Sequence, residues 1–366
     1  MSRILHILAS ARAEGTPRLV VDWLAEKSHV QSVLLLSADH PEMVAELMEA
    51  SQGFFQGHLK LEQGGRRRRR SVVDSVVNGC VTFMPDVVVC WPTWAARATG
   101  TALKRCGRGV IKLIVHCGNP ALCTVVEYLA SDIRFFPAYR ANAVFACCSD
   151  YVRDSFRRRT LFAKRRFQTV QNCISLARIQ ARANRARLER KQGDRIRFIM
   201  VGTMEGHKDQ ATLVKAASLL RVERSDFEVW LAGGGTNLEV VRALIAHKGV
   251  GDCVIPLGSR DDVPELLGQS DVFVFSTTRA EGFGTVLIEA LAAGLPVIAS
   301  DVPACREALQ GGRYGALVPA QDAPALAATM RPLLDRRTHP SQVDSAAYIQ
   351  RFSAQAMIDN YLSLCP

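Results

Sequence analysis

Short runs of apolar and β-branched residues alternate along this chain with longer amphipathic stretches. In the first half the short runs are Ile4–Leu8, Ser32–Ser37, Asp86–Cys90, Val110–Val115 and Ala143–Ala146, with helical patterns such as Leu19–Glu26 and Glu42–Ala50 between them. In the second half they are Ile196–Val201, Glu228–Ala232, Cys253–Pro256, Val272–Phe275 and Pro296–Ser300. Helical stretches over Gln210–Leu220, Leu238–His247, Val263–Gly268 and Thr285–Ala293 separate them. Runs that are apolar throughout predict parallel strands covered by helices on both faces. The expected fold class is therefore α/β, with ligands outside the carboxyl ends of the strands.

The chain of 366 residues suits two domains, and the polar, arginine-rich segment Arg178–Asp194 is the natural boundary between them. A content of 48% hydrophobic and 22% charged residues is that of a folded globular protein. No apolar run approaches the ~18 residues of a membrane span. Residues 1–8 lack the h-region and cleavage site of a signal peptide and read as a first buried strand. The eleven cysteines include no C-x-x-C pair, and Cys147 and Cys148 are adjacent. That spacing suits neither zinc nor a disulfide framework, so they are read as core thiols of a reducing cytoplasm.

Charge separates the halves. Residues 1–190 hold 29 Lys and Arg against 15 Asp and Glu, whereas residues 191–366 hold 17 against 20. The basic excess concentrates in Arg66, Arg67, Arg68, Arg69 and Arg70 and in the stretch from Arg153 to Arg166. Such patches attract phosphates of anionic lipid, glycan or nucleic acid. The plain alternative is a solvated helix face. No nucleic-acid recognition motif accompanies the arginines, so a membrane surface or an acidic acceptor is the favoured partner and nucleic acid is not.

The chemistry concentrates at Arg279-Ala280-Glu281-Gly282-Phe283-Gly284-Thr285-Val286-Leu287-Ile288-Glu289, between a strand and a helix. Gly282 and Gly284 allow close backbone approach, and the helix N-terminus favours a phosphate. Glu281 and Glu289 can accept hydrogen bonds from hydroxyls. A phosphate cradle between two hydroxyl-binding acids describes a nucleotide sugar. A capping glutamate followed by a solvated one is the bland alternative. A second segment, Val201-Gly202-Thr203-Met204-Glu205-Gly206-His207-Lys208, also links a strand to a helix, and Lys208 can set its ammonium on a diphosphate.

Glu281 to Glu289 resembles the E-x7-E motif of family 4 glycosyltransferases, and Ala293-Gly294-Leu295-Pro296-Val297-Ile298-Ala299-Ser300-Asp301 is similar to that family's G-x-P-V-I-A-S-D turn. The resemblance implies the GT-B fold: two Rossmann-like domains with parallel sheets facing a central cleft. It places an acceptor domain at 1–180, a nucleotide-sugar domain at 190–345, and a closing helix at 346–366 that returns to the first domain. It implies that Glu281 contacts the donor sugar, that Glu289 binds the ribose, and that Gly282, Phe283, Gly284 and Thr285 approach sugar and phosphate. Lys208 and Gly202 match the G-R-x…K element. Thr203 stands where many members carry an arginine, with Arg260 and Arg279 as candidates to replace that charge. Gly15 matches one glycine of a Gly-Gly pair near the donor phosphate, and His116 a histidine near the reacting carbon. For each, an ordinary turn glycine or a core histidine is the alternative. Ser149 and Asp150 are similar to a strand-end serine element of the cleft floor.

No Asp-x-Asp motif occurs in a suitable place, since Asp261 and Asp262 are adjacent. Neither metal nor other cofactor is expected. The implied activity is retaining, metal-independent transfer from a nucleotide sugar, UDP-linked by preference, to an envelope glycan or lipid-linked acceptor. The implied place is the cytoplasm, with peripheral attachment to the inner membrane face. Two alternatives stay open: a GT-B nucleotide-sugar epimerase, and a non-catalytic subunit of a transferase.

Overall fold

In the computed structural model the described residues are 1–12, 15–57, 59, 65–107, 111–121, 125–160, 163–190, 195–335 and 345–364. The side chains of Arg66 and of residues 125–131 lie outside that description, as do Glu14 and Val110 of the segments above. The chain divides into two compact units, one of Met1–Cys173 with Ala354–Pro366, the other of Ile174–Ser353.

Among the described residues the first unit holds seven parallel strands: β1 (Arg3–Leu8), β2 (Val30–Leu35), β3 (Gly53–Gln56), β4 (Val87–Cys90), β5 (Lys112–Cys117), β6 (Val144–Cys147) and β7 (Phe167–Thr169). Their order is β3-β2-β1-β4-β5-β6-β7. The second unit holds β8 (Ile196–Val201), β9 (Phe227–Ala232), β10 (Val254–Gly258), β11 (Val272–Phe275), β12 (Val297–Ser300) and β13 (Ala316–Val318), in the order β10-β9-β8-β11-β12-β13. Every pairing within both sheets is parallel. The α/β expectation holds, with each sheet doubly wound. Strand order reverses between β1 and β4, and again between β8 and β11, and such switch points are where ligands bind in open α/β sheets.

Three strands were not expected: β3, β7 and β13. All are short, and all lie at sheet edges. An edge strand is covered less completely, so Gly53-Phe54-Phe55-Gln56 and Phe167-Gln168-Thr169 lack the all-apolar signature of the central strands. Residues 178–190 also differ from a linker. Helix Leu176–Glu189 packs on helix Val263–Gly268, and three arginines in it or at its end hold other elements of the second unit. Arg182 pairs with Glu265, Arg187 donates to the Ala293 carbonyl, and Arg190 holds Asp271 at 2.7 Å. The arginine run opens helix Gly65–Phe83, where the helix dipole opposes cations, so it does not serve helix stability.

The first unit's core includes an aromatic cluster of Trp23, Trp91, His6, His116 and Tyr361, all buried. Tyr361 belongs to helix Ala354–Ser363 and lies 2.7 Å from His116 Nδ1 through its hydroxyl. The Trp91 indole N–H donates to His6 Nδ1, which leaves the proton on Nε2 to donate to the Gln31 carbonyl oxygen. Burial lowers both histidines to a pKa of about 4. The unfolded chain binds protons at these groups from about pH 6.5 downward, so stability is lost between pH 6.5 and 4. At pH 5 the loss is about 2 kcal/mol for each histidine. Urea unfolding at pH 7 and pH 5 tests this: His6→Gln should remove about half of the histidine-linked difference, and an unchanged difference would refute it. Burial likewise pushes the Cys90 thiol up to about 12, and Cys117, Cys147, Cys173, Cys253 and Cys305 are buried too, as inert core thiols are.

Candidate functional site

The residues singled out in the second half converge on one edge of one sheet. Strands β8 and β11 are neighbours at the switch point, so the loops after them meet although about 75 residues separate them. Lys208 and Thr277 form an isolated antiparallel bridge between these loops. The His207 carbonyl accepts from the Thr277 hydroxyl at 3.0 Å and from the Thr278 N–H at 3.2 Å. Ser300, at the end of β12, accepts from the Thr277 N–H at 3.0 Å. Asp209 caps the next helix by accepting from the Thr212 N–H at 3.1 Å. The loop that presents Lys208 is thus fixed from both sides.

Lys208 Nζ is bonded to Glu281 Oε2, with side chains only 11% and 9% exposed. The ammonium also sits 4.6 Å from the centre of the Phe275 ring. The other carboxylate oxygen, Oε1, accepts from the N–H groups of Gly282 and Gly284, each at 3.1 Å. Burial alone would raise the Glu281 pKa. The Lys208 charge and hydrogen bond, with help from the Gly282 N–H, outweigh it and hold the carboxyl below its ordinary range. Burial, then the Lys208 charge, lowers the pKa of His207.

Gly284 stands at the N-cap of helix Thr285–Ala292 with φ +74°, a left-handed conformation that favours glycine. Across the β8 and β9 ends, Gly233 meets Gly202 so closely that a Cβ on Gly233 would lie 2.0 Å from the Gly202 carbonyl oxygen.

The structure therefore brings together Lys208, Glu281, Gly282 and Gly284, beside Gly202. Phe283 is buried against Phe352, and Thr285 and Glu289 are half-buried on the helix that Gly284 opens. Thr203 is held through its carbonyl by Gln210 at 3.2 Å. Arg260 pairs with Asp262 and lies on the separate loop after β10, so its charge is already answered. Arg279 is exposed on the turn before Glu281. The first-half candidates belong to the other unit. Gly15 is exposed at the start of helix Gly15–Leu24, and His116 lies in the aromatic core, 3% exposed. Thr277 and Ser300 were missed. A hydroxyl run, Ser276-Thr277-Thr278, directly after a buried strand was the available signal. Ser276 Oγ is buried and makes no hydrogen bond.

Glu281 was expected to meet a sugar hydroxyl, with the glycine amides turned to a phosphate. Here its carboxylate receives those amides and the ammonium itself. The arrangement is an anion cradle already built to hold negative oxygen. Among the described residues no group of three or more His, Cys, Asp or Glu side chains could hold a metal ion. A cavity of about 560 Å³ lies at the opposite, amino edge of the same sheet, lined by Leu295, Tyr314 and Ile349 among others, and none of the candidate residues reaches it.

Residues 182–350, all within the second unit, match the family described as glycosyl transferases group 1. The chain is 27% identical over 204 residues to the lipopolysaccharide core biosynthesis glycosyltransferase LpsE of Rhizobium meliloti, covering 55% of this chain and 58% of that one. It is 28% identical over 201 residues to N-acetyl-alpha-D-glucosaminyl L-malate synthase of Bacillus anthracis, covering 53% and 52% respectively. The chain thus spans about half the length of the curated relatives it matches. Among solved structures, Anabaena HepE in complex with UDP-glucose superposes with a TM-score of 0.83 at 16% identity, over 99% of each chain.

Proposed function

From a chain whose second unit carries the group 1 glycosyl transferase family, in a molecule of GT-B fold, we propose a retaining glycosyltransferase. It moves a sugar from a nucleotide donor, UDP-linked by preference, to a cell-envelope glycan or lipid-linked acceptor. The observation that carries this reading is the Lys208–Glu281 pair set on the glycine turn at the β8/β11 switch point. The names of LpsE and of the UDP-glucose complex of HepE favour the donor and acceptor classes.

In this reading the diphosphate of the donor takes the place of carboxylate oxygen beside the Lys208 ammonium. Lys208 and the N-terminus of helix Thr285–Ala292 offset the charge that grows on the leaving group, so the chemistry needs no metal. Glu281, released from part of its contacts, accepts from a sugar hydroxyl, and Glu289 from the ribose. The buried Ser276 hydroxyl is a further group for the ligand. The bond from the anomeric carbon to the leaving oxygen breaks as the acceptor oxygen bonds on the same face. The acceptor proton passes to the departing diphosphate. The arginine run faces the acidic acceptor or the anionic membrane surface that carries it, on the cytoplasmic side. Among the described residues no helix is long and apolar enough to cross a membrane.

The test is thermal denaturation of the full chain with a panel of nucleotide sugars and free nucleotides. A ligand at 100 times its Kd stabilises the native state by about 2.7 kcal/mol. One UDP- or GDP-sugar should raise the melting temperature selectively. No shift with any member would refute the reading and favour a non-catalytic subunit, in keeping with Thr203 at the arginine position. Turnover of donor without acceptor would favour an epimerase.

A further inference from the structure

A second concave site lies in the first unit and shares no residue with the Lys208–Glu281 site. It is a cavity of about 260 Å³ walled by Arg68, Arg69, Arg97 and Arg134, with Trp94 beside them and Val72 in its floor. Three separate segments supply the guanidinium groups: the helix Gly65–Phe83, the start of helix Ala96–Arg105, and helix Val125–Arg140. Trp94 follows β4, one of the two strands at the switch point of this sheet.

The guanidinium carbon of Arg68 lies 3.8 Å from the centre of the Trp94 ring, so the indole fixes its plane. Arg68 Nε is buried and has no hydrogen-bond partner. A buried N–H without an acceptor is uncommon and calls for one. No carboxylate lines the cavity among the described residues. On the same helix Asp74 lies 3.9 Å from Arg70, and both side chains are well exposed. Four guanidinium groups around one small space repel each other unless an anion joins them.

The geometry points to a binding site for a phosphate group, carried on the acceptor. A phosphate ester offers three strong acceptor oxygens and about −1.5 to −2 charge, and guanidinium forks match its oxygens in pairs. A carboxylate brings half the charge and two oxygens. A flat lipid surface meets the exposed Arg67 and Arg70 but cannot enter the cavity. A headgroup phosphate lifted from that surface can, as can a phosphorylated glycan, and both present the same chemistry. Only the word acceptor rests on the transfer reading.

The experiment titrates the full chain, at constant ionic strength, with glycerol 3-phosphate and with acetate. In parallel it measures binding to phosphatidylcholine vesicles with and without phosphatidylglycerol. Two double variants remove equal charge: Arg97→Ala/Arg134→Ala from the cavity, and Arg67→Ala/Arg70→Ala from the exposed run. Saturable binding of the phosphate ester over acetate is expected, weakened at least tenfold by the cavity variant and less than twofold by the other. A vesicle-only response with the same variant pattern identifies a lipid headgroup as the source and also supports the site. Equal losses in the two variants, or no saturable binding of either probe, overturn it. Should the cavity variant melt early, Arg97→Lys/Arg134→Lys keeps the charge and removes the forks, and it should still weaken binding. The melting-temperature shift with nucleotide sugars should be unchanged in all variants. Phosphate binding without any donor shift would leave this site standing and remove only its link to transfer.

Discussion

Replacing Glu281 by Gln lowers the rate of sugar transfer by about a thousandfold and lowers the melting temperature of the second unit by several degrees. The stability loss follows from burial. Lys208 and Glu281 are nearly inaccessible and bonded to each other, so neutralising one leaves the other charge without its counterpart. Removing one partner of a buried pair costs about 3–5 kcal/mol. The rate loss follows from what the carboxylate orients: the ammonium and the Gly282 and Gly284 amides that meet developing charge, where one misplaced donor costs about 10²–10³. Lys208→Met should destabilise comparably. The double variant Lys208→Met/Glu281→Gln is the decisive member, because it leaves no buried charge alone. It should melt above either single variant yet remain inactive. Melting curves and initial rates on the four proteins settle the matter. Additive stability losses would show that the two side chains do not depend on each other.

Gly233→Ala should be as damaging without touching any charged group. A methyl there would lie 2.0 Å from the Gly202 carbonyl oxygen and 2.7 Å from its carbon, both backbone atoms that no rotamer can move aside. The ends of β8 and β9 must separate, which carries Thr203 to Lys208 away from the β11 loop. We expect a loss of about 3 kcal/mol or more and no measurable shift with a nucleotide sugar. Gly206→Ala is the control in the same loop. Nothing lies within 4 Å of a Cβ at that position, and the variant should bind normally. Equal melting temperatures for the two variants would mean that the β8–β9 contact is not as tight as described.

The central strands and both halves of the E-x7-E loop were legible because their signals are local. An all-apolar run of four or more residues announces a strand buried on both faces, and β4, β8 and β11 carry such runs. The edge strands β3 and β7 do not, since solvent on one side relaxes the demand on composition, and β13 is apolar but only three residues long. The bond between Lys208 and Glu281 was not legible either. It spans 73 residues and exists only because β8 and β11 are neighbours, a property of strand order that no window of sequence contains. The same holds for His116, whose surroundings are set by Tyr361, 245 residues away. Arg260 shows the opposite case: its partner Asp262 stands only two residues on, a pairing within reach of a sequence window.

The first unit is discontinuous. The chain leaves it at Cys173 and re-enters it at Ala354, and the Ile174 N–H donates to the Phe352 carbonyl at 2.8 Å where the two crossings run side by side. During synthesis the second unit, although later in the chain, is contiguous and complete first. The first unit must wait with Trp23 and Trp91 uncovered until the helix that bears Tyr361 is made. Nascent chains halted before residue 354 are therefore expected to be the aggregation-prone species.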